Sequence, residues 1–141
     1  MIKYQAKIIK DRKSYSVEFP DLPGCFSMGD SLKDAKKMAS EALSLYLEEA
    51  RDPKWKVPKA RSRKSKQYYW IQPSFDVAIA LIIRQARLKH GLTQSQLASR
   101  VGITIQQLQK LETPGKSNPT VRTLASISAA LNENLEIQLA S

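Results

Sequence analysis

The chain of 141 residues contains very few of the residues that build catalytic or metal-binding centres. It has one cysteine, Cys25, and one histidine, His90. A single cysteine excludes an intramolecular disulfide and is typical of a reducing compartment, so we expect a cytoplasmic protein. The sequence shows no metal-ligand spacing, phosphate-binding loop or Ser/His/Asp set. We therefore expect no enzyme activity, no metal and no cofactor.

Long hydrophobic runs are also missing. No run approaches the roughly 18 apolar residues that a membrane span needs. The first residues, MIKYQAKIIKDRK, lack the apolar core of a signal peptide. The hydrophobic content of 42% and the charged content of 26% are those of a soluble globular protein. We predict neither membrane insertion nor secretion.

Acidic residues are scarce in only part of the chain. Overall there are 23 basic and 13 acidic residues, a net charge of +10. Residues 1–50 carry eight of each kind, whereas residues 51–74 carry eight basic residues and one acidic, and residues 75–141 carry seven and four. Excess basic charge is typical of nucleic-acid binding. The neutral first fifty residues are expected to bind something other than a phosphate backbone.

Four segments of the first half have the pattern of β-strands. Apolar and polar residues alternate at positions 2–8 and again at 15–19, with a polar turn between them, which predicts a hairpin. Residues 25–28 are predicted to form a short third strand. The aromatic segment QYYWIQ at 67–72 favours a last strand.

One amphipathic helix lies between the third and fourth of these strands. Ser31 is predicted to cap its first turn, with Asp34 completing a capping box, and apolar residues follow at helical spacing to Ala50. The basic, proline-bearing segment 51–66 indicates a loop or linker, interpreted as a solvated tether or as a source of phosphate attraction. Residues 1–73 are thus predicted to form a βββαβ unit, an antiparallel sheet covered by one helix.

The second half changes to short helices, which predicts an α+β protein with an all-α second domain at 74–141. Thr93 with Gln96, and Thr104 with Gln107, have the spacing of capping boxes, and Gly102 is placed to end one helix and redirect the chain. The helices are predicted at 75–90, 94–101, 104–112 and 121–131.

The helix predicted at 104–112 has one apolar face and one face of neutral amides. Leu108 and Leu111 define the buried side, and Gln106 and Lys110 lie opposite, with Gln109 on the flank. Gln can pair with adenine in the major groove, and Lys can donate to guanine. This arrangement predicts a helix-turn-helix that reads base edges, with an ordinary polar surface as the alternative.

The last residues again alternate. Leu135, Ile137 and Leu139 are separated by polar residues, which predicts a strand. A lone strand is not stable by itself. It is expected either to join the N-terminal sheet or to pair with its copy in a second chain, giving a homodimer or higher oligomer.

Residues 75–132 resemble the Cro/C1-type helix-turn-helix family through GLTQSQLASRVGI, Leu111-Glu112, Gly115-Lys116 and NPTVRTLASISAAL. The resemblance implies a five-helix repressor domain that binds a palindromic operator as a dimer. It also matches Arg87 and Glu112 to a partly buried salt bridge of the family. A departure is Thr113-Pro114, which lengthens the loop after the second helix by one residue. The residues expected to contact DNA are Gln94, Thr104, Ile105, Gln106, Gln109, Lys110, Lys116, Ser117 and Asn118, of which Ile105 either touches a thymine methyl or covers the core.

Residues 1–73 resemble the HicB antitoxin family through MIKYQAKI, YSVEFPDLPGCFSMGDSLKDA and MASEALSLYLEE, although Met38 stands where relatives often have asparagine. The resemblance implies a truncated ribonuclease-H-like fold without a working catalytic site. It also implies a partner, a small basic HicA-type toxin that cleaves RNA. Exposed carboxylates and apolar anchors would suit a cationic partner face. The expected toxin-binding residues are Glu18, Asp21, Leu22, Phe26, Glu48 and Glu49.

Together these features predict an antitoxin that neutralises a HicA-type toxin and represses its own operon by sequence-specific operator binding. An alternative from another class is a stand-alone transcription factor whose N-terminal domain senses a small ligand. A nuclease would need a metal-binding carboxylate set. The available carboxylates, at Asp11, Glu18, Asp21 and Asp30, fall in turns and on exposed strand faces.

Overall fold

A computed structural model of the chain describes residues 1–139. The first half contains a four-stranded sheet and one long helix, and the second half contains four helices, so the predicted α+β class is confirmed. Within the described part, no helix is both long and apolar enough to cross a membrane. The elements are β1 (Tyr4–Asp11), β2 (Ser14–Glu18), β3 (Phe26–Gly29), α1 (Leu32–Glu48), β4 (Tyr68–Ile71), α2 (Phe75–Lys89), α3 (Gln94–Val101), α4 (Ile105–Leu111) and α5 (Val121–Ala130).

The sheet is antiparallel throughout, with the strand order β3-β2-β1-β4. Ile8 lies opposite Val17, and Tyr4 lies opposite Ile71, so the alternation of β1 gathers apolar side chains on one face. Helix α1 covers that face with buried residues that include Leu43 and Leu47. The predicted βββαβ unit is confirmed.

The start of α1 differs in one detail from the predicted capping box. The Ser31 hydroxyl accepts from the Asp34 backbone N–H at 3.0 Å, as expected. The Asp34 carboxylate, however, accepts from the N–H of Asp30 at 2.9 Å rather than from Ser31. A full box uses Glu or Gln at this position, and Asp is one methylene shorter.

The basic segment 51–66 is irregular, but it is not a solvated tether between two units. It connects α1 to β4 within the sheet layer, and Trp55 and Val57 pack against the core. The Gln5 amide exchanges two hydrogen bonds with the backbone of Arg63, at 2.6 and 3.2 Å. The prediction of a tether was wrong because the apolar residues inside the basic run are partly buried against the core of the sheet and α1.

Helix α2 contributes to two hydrophobic cores. Val77 and Leu81 belong to the core between the sheet and α1, whereas Ile83 belongs to the core of α3, α4 and α5. The domain boundary predicted at residue 74 stays a prediction, because α2, which follows it, packs into the cores of both halves of the chain. Within residues 75–139 there are four helices, one fewer than the five-helix domain that the resemblance implied.

No strand forms at the end of the described chain, so the alternative in which Leu135, Ile137 and Leu139 join the N-terminal sheet is wrong, and pairing with a second copy stays a prediction. These three side chains are exposed. A strand needs a neighbouring backbone to complete its hydrogen bonds, and this segment pairs neither with β3 nor with β4.

Candidate nucleic-acid interface and partner surface

Two capping boxes hold the short helices α3 and α4. In each box the threonine hydroxyl accepts from the glutamine N–H at 3.1 Å, and the glutamine side chain accepts from the threonine N–H at 2.9 Å. Gly102, at φ +81°, ends α3 in the left-handed conformation. Since helices of seven or eight residues are marginal by themselves, these ends fix their geometry. Both predicted boxes, Thr93 with Gln96 and Thr104 with Gln107, are confirmed.

Helix α4 has the two faces that its sequence predicts. Leu108 is fully buried in the second core. Gln106, Gln109 and Lys110 are exposed on the other side. Ile105 is partly covered, with about a third of its surface open. Three groups able to bond base edges therefore project from one short helix whose opposite face is locked into the core.

The remaining residues predicted to contact DNA differ in their exposure and in whether their side chains are already hydrogen-bonded within the chain. Lys116 and Asn118 are exposed and line one cleft with Lys110. The Gln94 amide is half-buried and makes a long hydrogen bond of 3.4 Å to the Glu112 carboxylate. The hydroxyl of Thr104 is occupied by its cap.

Ser117 corrects the prediction for this loop. Its side chain is only 3% exposed, so it does not face a DNA backbone. Its hydroxyl has no hydrogen-bond partner among the described residues. The loop folds against the first two turns of α2, where Phe75 and Ile79 line the same cleft as Ser117.

The predicted ion pair between Arg87 and Glu112 is confirmed. Arg87 Nε lies 2.7 Å from Glu112 Oε2, and Arg87 Nη2 lies 2.8 Å from Oε1. Both side chains are buried rather than partly buried. Arg87 also donates to the carbonyls of Leu92 and Pro53. This two-pronged geometry fixes the end of α4 relative to α2.

Arg84 is a second buried arginine that no sequence pattern singled out. It is 2% exposed and donates to the carbonyls of Ala50 at 2.7 Å and Glu112 at 2.8 Å. Burial lowers the pKa of Arg84, and the negative charge of Glu112 opposes that shift. Arg84 lies three residues before Arg87, so both side chains lie on one face of α2. This spacing is the sequence feature that could have identified Arg84 as a second buried arginine.

The six residues predicted to bind a toxin do not form one surface. Phe26 and Glu18 stand opposite each other in the register of β2 and β3, and both are exposed. Leu22 was wrongly predicted as an anchor, because it is fully buried in the core. Glu48 and Glu49 lie at the end of α1, where the Glu48 side chain is next to Gly115 of the loop after α4.

The Asp21 carboxylate is also committed within the chain. It accepts from Arg63 Nη2 at 2.8 Å and Nη1 at 3.1 Å, and from the Arg61 N–H at 2.9 Å. The hydrogen bonds from Arg63 hold the pKa of Asp21 below its ordinary value. Asp21 therefore fastens the basic loop and is not a free contact for a partner.

Two further apolar side chains were missed on the face of the sheet that α1 does not cover. Met28, 61% exposed, and Ile9, 37% exposed, lie there with the predicted Phe26, which is 63% exposed. Ser16 stands opposite both Ile9 and Met28 in the register. We call this set the outer sheet face, and it comprises Ile9, Ser16, Glu18, Phe26 and Met28. The alternation of β3 was the signal that could have identified Met28 together with Phe26.

Cys25 is buried, and His90 lies at the end of a helix beside a carboxylate. Burial raises the pKa of the Cys25 thiol to about 11, so almost none of it is thiolate at neutral pH. His90 caps α2 and shares a hydrogen bond of 2.9 Å with Glu133. Over residues 1–139, no group of three His, Cys, Asp or Glu side chains is placed to hold a metal ion.

Comparison with known proteins agrees with this architecture. The family model for the HicB-like antitoxin of bacterial toxin–antitoxin systems matches residues 4–128. Antitoxin HicB 2 of Photorhabdus laumondii is 24% identical over 140 residues, covering 96% of this chain and 95% of that protein. A 14.9 kDa protein of the rep-hol intergenic region of Haemophilus phage HP1 is 33% identical over 105 residues, 74% of each chain.

A shorter match relates part of the chain to a transcriptional regulator. A helix-turn-helix-type regulator of Archaeoglobus fulgidus is 39% identical over 54 residues, covering 38% of this chain and 76% of that protein. The family model spans both the sheet and most of the helical half. The chain belongs to the HicB-like antitoxin family of bacterial toxin–antitoxin systems.

Proposed function

We propose that this protein is a type II antitoxin that binds a HicA-type RNA-cleaving toxin and represses its own operon by binding a specific operator. The observation that carries the DNA-binding half is the exposed face of α4. Gln106, Gln109 and Lys110 project together there, and Leu108 anchors the helix from behind.

Operator reading follows from the chemistry of those three side chains. A glutamine amide is a donor and an acceptor in one plane, so it pairs with adenine N6 and N7, and lysine donates to guanine O6 and N7. Lys116 and Asn118 lie beside Lys110 and supply contacts to neighbouring phosphates. No acidic residue of α4 opposes the DNA, since the first carboxylate is Glu112, which Arg87 neutralises.

The toxin is proposed to dock on the outer sheet face. This face has an apolar centre in Phe26 and Met28 and an exposed carboxylate at Glu18. Apolar anchors inside a polar rim are typical of protein interfaces. The neutral first fifty residues would not repel a basic, RNA-binding partner as the rest of the chain would.

We also propose that the chain forms a homodimer through its C-terminal segment. Leu135, Ile137 and Leu139 alternate with polar residues and are exposed in the single chain. Pairing with the same segment of a second copy would complete their hydrogen bonds and cover their apolar faces. A dimer would present two copies of α4 to an operator with twofold symmetry.

Three measurements on the full chain test this function. Selection of duplexes from a random pool should yield an inverted-repeat sequence, and light scattering should give twice the monomer mass. Capture from the host should yield a small basic ribonuclease that the chain inhibits. The proposal fails if the selected duplexes share no sequence and the captured proteins include no ribonuclease.

A further inference from the structure

The end of α1, the middle of α2 and the end of α4 meet at one buried point. Arg84 lies at this junction and is 2% exposed. One arm of its guanidinium donates to the carbonyl of Ala50, just beyond α1, and the other donates to the carbonyl of Glu112, which caps α4. A single cation thus joins the helix that covers the sheet to the helix proposed to read DNA.

The chemistry of both acceptors favours this arrangement. Carbonyls at the C-terminal end of a helix lack intrahelical partners and carry partial negative charge. A guanidinium has donors in a rigid planar fork, so it can bridge two carbonyls that point toward each other from different helices. Lysine carries its three donors on a single nitrogen, so it lacks the two separated arms that span carbonyls on different helices.

Two further contacts tie the same segments together. Arg87 donates to the carbonyl of Pro53 at 2.9 Å while it holds the Glu112 carboxylate. The Glu48 side chain lies against the loop after α4, since a Cβ built on Gly115 would be 3.2 Å from the Glu48 carboxyl carbon. The segment from Glu48 to Pro53 therefore meets the C-terminal end of α4 and the loop after it, directly at Gly115 and through Arg87 at Glu112.

We propose that Arg84 is a positioning residue through which the sheet unit sets the orientation of α4. The proposal rests on the proposed reading of DNA by α4 and adds its regulation. A partner that shifts α1 moves the Ala50 carbonyl, and the shared guanidinium passes that movement to the end of α4. Coupling of this kind changes affinity by about 5–150-fold in characterised proteins, and it acts equally in both directions.

The decisive variants are Arg84→Met and Arg84→Lys in the full chain, with Arg12→Met as the control. Arg12 lies exposed in the turn between β1 and β2. Arg12→Met therefore makes the same chemical change outside the junction. The probes are a duplex selected by the wild-type chain from a random pool and an unrelated duplex of equal length.

We expect Arg84→Met to weaken binding of the selected duplex at least tenfold. Binding of the unrelated duplex should change less than twofold, because phosphate contacts tolerate small rotations of α4. Arg84→Lys should give an intermediate loss, and Arg12→Met should bind like the wild type. Hydrogen exchange without DNA should show faster opening of α4 amides in Arg84→Met.

The outcomes separate this proposal from the proposed function. A folded Arg84→Met chain with wild-type affinity for the selected duplex would overturn the positioning role. If Arg84→Met does not fold, the same comparison is made on Arg84→Lys. If the wild-type chain selects no DNA sequence, the proposed function fails, and unchanged exchange of α4 amides in the variant then overturns the coupling separately.

Discussion

Arg87 and Glu112 form a two-pronged ion pair with N–O distances of 2.7 and 2.8 Å in a site closed to solvent. The pair joins α2 to the residue that caps the C-terminal end of the proposed DNA-reading helix. A buried charge is costly unless its partner is present. The pair therefore contributes, beside the Arg84 hydrogen bond to the Glu112 carbonyl, to fixing the orientation of α4.

Removing one partner of this pair should strongly destabilise the protein. We expect Glu112→Gln to lower the free energy of unfolding by about 3–5 kcal/mol, because Arg87 would keep a buried charge without its counterion. Urea unfolding measures the loss. The matched control is Lys89→Met, which breaks the exposed pair with Glu133 and should cost no more than about 1 kcal/mol. Equal losses in both variants would contradict the prediction.

Operator reading by α4 should be separable from simple attraction to DNA. We expect Gln106→Ala and Lys110→Ala each to weaken operator binding by about 1–3 kcal/mol. Titration against operator and random duplexes measures the difference. Gln96→Ala is a useful control, because that glutamine serves the cap of α3 and should affect stability more than sequence preference. An equal loss on both duplexes would mean that the two side chains touch only phosphates.

The contact between Asp21 and Arg63 should make the free energy of unfolding depend on pH in the acid range. Because Arg63 holds the pKa of Asp21 below its ordinary 3.8, the contribution of the carboxylate is complete above that pH. It is lost as the pH falls through the lower, folded-state pKa. The free energy of unfolding of the wild type should therefore drop on acidification more than that of Asp21→Asn. Parallel curves for the two chains between pH 7 and pH 2 would contradict this.

The outer sheet face should be required for capture of the toxin. We expect Phe26→Asp combined with Met28→Asp to weaken toxin binding by more than about 2 kcal/mol, as loss of central apolar anchors does, and to leave operator binding unchanged. Calorimetry with the purified toxin measures the effect. Leu45→Asp is the matched control, because Leu45 is 65% exposed on α1, on the other side of the sheet. A comparable loss with Leu45→Asp would place the interface elsewhere.

Local patterns determined much of this protein before its tertiary structure was known. The four strands and five helices lie within a few residues of their predicted bounds, and both glutamine boxes form. The faces of α4 were also predictable, because helix periodicity alone decides that Leu108 and Gln106 point in opposite directions. Such features depend on residues only three or four positions apart.

Other features were decided only by the tertiary structure. Leu22 and Ser117 lie in loops that look exposed in sequence, yet distant segments fold over them. The basic run after α1 has the sequence of a tether, but its apolar residues pack, partly buried, against the core of the sheet and α1. Arg84 became a junction because α1 and α4, more than sixty residues apart, end beside it. Burial and bridging depend on which remote segments meet, and no local period carries that information.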